Sequence, residues 1–127
     1  MPGQPAKRSS SLSAALAGLR DVVASETNFQ IEIFVAVPVL VVSAFLRLAL
    51  LEWIVIVAAI GGVFVTELLN SAFERMADLQ KPRLDPLVRA AKDVSAAAVF
   101  VASLTAAVLG VLIIGPKLAE LGILLEP

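Results

Sequence analysis

Apolar positions are spaced in two quite different ways along this chain. Between Ser9 and Thr27, Leu12, Leu16, Leu19 and Val23 recur every three or four residues, with Arg20 and Asp21 between them. That spacing predicts an amphipathic helix over about 9–27, lying on a membrane surface. Ser9 to Ser11 stand where a helix cap belongs. Beyond this segment the periodicity disappears. Residues 33–46 (IFVAVPVLVVSAFL), 53–66 (WIVIVAAIGGVFVT) and 94–115 (VSAAAVFVASLTAAVLGVLIIG) are continuously apolar. Roughly 20 residues cross a bilayer core. The third run spans unaided, whereas the first two reach that length only by drawing charged residues into their ends. The pattern predicts three transmembrane helices, over about 30–49, 52–79 and 86–115. Pro38 is tolerable inside the first, because neighbours in a membrane can satisfy the freed carbonyl. Trp53 suits an interface. Pro82 ends the second helix, Asp85 and Pro86 form a good start for the third, and Pro116 is expected to stop it.

The fold class that follows is all-α and integral to the membrane. Residues 1–8 (MPGQPAKR) read as a flexible polar tail, and 9–127 as one domain. Nothing at the start resembles a cleaved signal peptide. Hydrophobic residues make up 59% of the chain and the mean hydropathy is +0.94, which supports lipid as the surrounding solvent. The basic residues set an orientation. Lys7, Arg8 and Arg20 precede the first span, and Lys81, Arg83, Arg89 and Lys92 lie near the connection between the second and third, against only Arg47 and Lys117 on the other side. The excess puts the N-terminus and the 79–92 region in the cytoplasm.

Charge and composition narrow the chemistry. A net charge of −1 offers no field for nucleic acid. The absence of Cys and His removes thiol and imidazole catalysis, disulfides and the common zinc and copper ligand sets. A metal would have to be held by oxygen, as Mg²⁺, Mn²⁺ and Ca²⁺ are.

The candidate chemistry lies at the end of the second span. Glu67, Asn70, Glu74 and Asp78 are spaced by three, four and four, so they share one stripe of a helix. Glu67 lies roughly 16 Å along the axis from Asp78. An acid at that depth costs several kcal/mol unless it is paired, protonated or bound to a cation. Lys92 and Asp93 enter the third span at a comparable level, and Glu26 and Glu32 flank the start of the first. Small residues, Ser95 to Ala98, Ala102, Ser103, Ala106 and Ala107, permit close helix approach in the third span. Three helices alone make a thin bundle, and self-association would give the acids an interior to face. No phosphate-binding loop, protein-kinase glycine loop or D-F-G is present. The residues alone therefore give an acidic, cation-binding intramembrane site. A metal site, a proton-coupled transporter using Glu67 and an assembly protein with a polar register stripe all fit it.

The stripe itself reads ELLNSAFERMAD over 67–78, which resembles the E-x-x-N-[ST]-A-x-E-x-x-x-D hallmark of the prokaryotic diacylglycerol kinase family. The family's second hallmark, A-K-D followed by small residues, is matched by AKDVSAAAV over 91–99, at the family's separation. ETNFQI (26–31), FLRLALLEW (45–53) and DPLVRAAKD (85–93) extend the likeness over roughly 10–117, and the pattern is more similar to the undecaprenol kinase branch of Gram-positive bacteria than to the proteobacterial diacylglycerol branch. The resemblance implies a homotrimer in the bacterial cytoplasmic membrane, each subunit with a surface helix and three spans. It implies transfer of the γ-phosphate of ATP to a lipid hydroxyl, with undecaprenol the expected acceptor and diacylglycerol the alternative. By similarity, Glu67 is the general base. Glu26 and Glu74 hold the Mg²⁺ that bridges the ATP phosphates, and Lys92 and Asp93 contact the nucleotide. Asn70 and Asp78 support the site, and Arg83 and Asp85 lie near the nucleotide. The sequence departs from the family pattern at Gln30, where a basic residue is common, at Glu32, where His or an acid occurs, at Phe73 in place of Ile, and at Arg75 beside Glu74.

Overall fold

The computed structural model describes residues 10–79 and 85–125. Among these residues there are four helices: α1 (Ser11–Ser25), α2 (Thr27–Phe45), α3 (Leu50–Asp78) and α4 (Pro86–Leu125). The last three are long and apolar enough to cross a membrane. The expected tail at 1–8 and the loop around Arg83 lie outside the described residues.

Each helix end has a local cause. Ser10 caps α1, its hydroxyl accepting from the Ser13 amide at 3.3 Å. A single extended residue, Glu26 (φ −101°, ψ 110°), separates α1 from α2. The Gln30 side chain folds back across this break and donates to the Val23 carbonyl at 2.9 Å, satisfying an acceptor that the end of α1 leaves open. Gln30, a departure from the family pattern, therefore has a structural task here. At the other end of α2, Arg47 takes a left-handed backbone (φ 52°) and its amide bonds the Ala44 carbonyl at 3.3 Å, turning the chain into α3. Glu52 accepts from the Ala49 amide at 2.7 Å and from Lys117 Nζ at 3.1 Å, tying this turn to α4. Asp85 accepts from the Leu87 amide at 2.8 Å, and Pro86 opens α4, as the sequence predicts.

One expectation is corrected. Pro116 does not stop the third span: α4 continues through it to Leu125. Pro fixes φ near the helical value and removes only one intrahelical bond. The segment just past it is held by the Lys117–Glu52 pair. At 40 residues, α4 is about 60 Å long, twice a bilayer core, so it projects beyond the hydrocarbon.

Packing is uneven. The α3–α4 interface is much the most extensive, while α2 leans on α3 and α1 touches both. The candidate spanning windows are largely uncovered: Phe34, Phe45, Leu69, Phe100 and Val111 all lie mostly exposed. In a soluble domain this would be an unburied core, but in lipid it is the surface that faces solvent. The buried exceptions anchor α2 to α3. Phe29 is 2% exposed and its ring tilts at 42° against Phe64, centroids 5.1 Å apart. Phe29→Ala is therefore expected to cost about 3 kcal/mol, read as a lower unfolding midpoint in detergent, whereas Phe34→Ala on the exposed face leaves it within error.

Candidate active site

The antiparallel path of α2, α3 and α4 brings the start of α2, the end of α3 and the start of α4 to the same end of the bundle. That end collects the acidic residues. Glu67 sits on α3 one turn beyond Phe64, so the Phe29–Phe64 contact holds the turn from which it projects. It is 2% exposed, and its Oε2 has no hydrogen-bond partner among the described residues. Glu26, from the break between α1 and α2, and Glu74, from α3, both lie within electrostatic range of it. So does Glu32 on α2, whose own Oε2 is buried and unpartnered. Four carboxylates thus converge from three parts of the chain. Like charges gathered in a poorly solvated place repel strongly, so such a cluster requires protonation or compensating cations.

Two cationic side chains supply part of that compensation. Arg75 reaches across to the α1–α2 junction. It pairs with Asp21, with Glu26 Oε1 at 3.2 Å and with Ser25 Oγ at 3.1 Å. This links α1 to α3 and places a cation on one of the converging acids. Arg75→Ala is expected to release α1: its amides exchange faster with deuterium, while those of α3 and α4 keep their protection. Lys92 on α4 donates to Asp78 at 2.9 Å, joining the end of α3 to the start of α4.

The predicted site residues divide accordingly. Glu26, Glu67, Asn70 and Glu74 are gathered, with Glu67 and Asn70 buried (Asn70 8% exposed) and the other two half-buried. Asp78 shares their stripe, but its side chain is 64% exposed. Asp93 is exposed; one helical step turns it off the face that Lys92 presents to α3. Asp85 is exposed and caps α4. Sequence reasoning missed Ser95. Counted there only as a small residue, its hydroxyl donates to Asn70 Oδ1 at 2.7 Å across the α3–α4 interface. Its position three residues after Lys92, on the same helical face, is the signal that could have found it.

Among the described residues, no three Asp or Glu side chains are close enough to hold a metal ion by themselves. Glu26 and Glu74 would supply two carboxylates, which suits Mg²⁺: that ion keeps several waters and completes its shell with phosphate oxygens. Beside the acids, α2, α3 and α4 enclose an open apolar groove of about 700 Å³, lined by Val35, Ile56, Phe64, Ala107 and Ile114 among others. Among the described residues, Glu32 is the only charged one lining it. A ligand with a polar head and a long apolar chain fits this combination of acidic end and greasy trough.

Comparison with known proteins agrees with the geometry. The family model for prokaryotic diacylglycerol kinase matches residues 13–114. The chain is 40% identical to undecaprenol kinase of Bacillus subtilis over 101 residues, covering 80% of this chain and 82% of that protein. It is 32% identical to diacylglycerol kinase of Synechocystis over 108 residues, covering 84% of this chain and 62% of that longer protein. No solved structure matches it significantly. The matched span includes the whole acidic stripe, the Lys92–Asp78 pair and the Glu26 junction, so the chain belongs to the prokaryotic diacylglycerol kinase family and is a lipid kinase.

Proposed function

We propose that this lipid kinase transfers the γ-phosphate of ATP to undecaprenol, giving undecaprenyl phosphate for envelope polysaccharide synthesis. The observation that carries the reading is Glu67: a buried carboxylate with an oxygen unpartnered among the described residues, in an apolar helix, one turn beyond Phe64, which lines the apolar groove. The likeness to the Bacillus enzyme, at 40% against 32% for the Synechocystis diacylglycerol kinase, favours undecaprenol as acceptor. Diacylglycerol, which would give phosphatidic acid for phospholipid recycling, is the second reading and rests on that Synechocystis likeness.

The mechanism follows from charge and position. The lipid hydroxyl is brought within reach of Glu67, which accepts its proton as the oxygen attacks the γ-phosphorus, while the bond from that phosphorus to the β,γ-bridging oxygen breaks and ADP leaves. Phosphoryl transfer depends on neutralising phosphate charge more than on covalent help from the protein. Lys92 supplies one fixed cation there. Glu26 and Glu74 would hold Mg²⁺, which when bound neutralises and orients the phosphate oxygens. Asn70 positions groups on the same stripe, Asp78 holds Lys92, and Asp93 and Asp85 border the nucleotide. The exposed apolar stripe of α1, Leu12, Leu16 and Leu19, suits a helix lying on the bilayer surface. The uncovered faces of α2 to α4 suit a homotrimer in the cytoplasmic membrane, with the acidic end in the cytoplasm.

The test uses purified protein in lipid bilayers with γ-labelled ATP. Labelled lipid phosphate that needs Mg²⁺ supports the reading. Proton flux through the protein without ATP, and no labelled lipid, would replace it with a transporter.

A further inference from the structure

The Ser95–Asn70 contact has a consequence for the orientation of the Asn70 amide. A carboxamide has one edge that only accepts and one that only donates. Ser95 Oγ lies 2.7 Å from Asn70 Oδ1, so the accepting edge is anchored to α4. The NH₂ edge then points away from Ser95. Asn70 is flanked on its own helix face by Glu67, three residues before it, and Glu74, four after it. Both are carboxylates that only accept when ionised. A hydroxyl can donate or accept, so these acids select the orientation with the donor edge toward their stripe, and the Ser95 bond holds it. The flipped amide would turn a carbonyl oxygen toward those acids and repel them. Asn70 is only 8% exposed, so water competes little for this bond.

We infer that Ser95 is a positioning residue for the phosphoryl transfer, acting through Asn70 by locking its amide with the donor edge toward Glu67 and the reacting oxygens. The inference rests on the lipid kinase reading above. It deepens that reading by adding a residue on α4 that neither sequence hallmark of the family, as matched here, requires. Removing the hydroxyl leaves the amide unanchored, so its donor edge is held less firmly where charge develops. The loss falls on turnover rather than on nucleotide binding, because Lys92 and the metal-holding acids are untouched.

The experiment compares wild type, Ser95→Ala, Ser95→Thr, Asn70→Ala and the Ser95→Ala/Asn70→Ala pair in the labelled-ATP assay, at saturating lipid. Ser95→Ala is expected to lower kcat about three- to tenfold, the size of one neutral hydrogen bond, with KM for ATP unchanged. Ser95→Thr, which keeps the hydroxyl, is expected to restore most of kcat. In the Asn70→Ala background, Ser95→Ala is expected to change nothing further, since its only route to the site is gone. Equal loss in the Ala and Thr variants, an unchanged kcat in Ser95→Ala, or fully multiplicative losses in the pair would overturn the inference while the kinase reading stands. Failure of wild type to label any lipid would instead overturn the kinase reading on which it depends.

Discussion

Glu67→Gln is expected to lower lipid phosphorylation by about 100- to 10,000-fold, the usual size of general-base assistance, and to leave the protein folded. The two side chains have nearly the same shape, so the packing around Phe64 and Phe29 is retained. What changes is the ability to take a proton. The native carboxylate is buried at 2% exposure, leaves Oε2 unpartnered and faces the charges of Glu26 and Glu74. A neutral side chain is easier to keep in that place, so the thermal midpoint of Glu67→Gln should equal or exceed that of wild type. Lost activity with retained or raised stability marks a group held for chemistry. A lower midpoint together with the lost activity would mean that Glu67 is structural.

The second large effect concerns the metal. Glu26→Gln and Glu74→Gln are each expected to raise the Mg²⁺ concentration for half-maximal activity by at least the roughly 10- to 100-fold that loss of even an outer partner costs a metal site. Excess Mg²⁺ should recover part of the activity in both, whereas it recovers none in Glu67→Gln. The two acids differ in a second respect. Glu26 also accepts from Arg75, so Glu26→Gln should speed hydrogen exchange in α1. Among the described residues Glu74 shows no such bridge to α1, so Glu74→Gln should leave that exchange unchanged. A metal titration combined with hydrogen exchange checks both statements. If the Mg²⁺ dependence of both variants matched wild type, these acids would not hold the ion.

The parts of the site that were legible in the sequence are those set by local geometry. The three, four, four spacing of Glu67, Asn70, Glu74 and Asp78 puts them on one stripe whatever the helix packs against. Asp85 and Pro86 announce a helix start by their own chemistry, and α4 begins there. Continuous apolar runs identify spans because lipid, unlike water, imposes no inward-facing period. The features that were not legible depend on how helices are turned about their axes. Arg75 meets Asp21 and Glu26 across about fifty residues of sequence, and Ser95 meets Asn70 across twenty-five. Nothing local specifies those partners. Depth does not follow from the stripe either: Glu67 and Asp78 share it, yet one is buried and the other mostly exposed. Pro116 misled because a helix-breaking residue in water is a tolerable one in a long membrane helix, where a single lost bond is offset by packing and by the Lys117–Glu52 pair.

The most direct test of the account is a competition in one bilayer. Purified protein is given γ-labelled ATP, Mg²⁺ and equal amounts of undecaprenol and diacylglycerol, and the two labelled products are separated. The account predicts that label accumulates chiefly in undecaprenyl phosphate. Selective label in phosphatidic acid would contradict it.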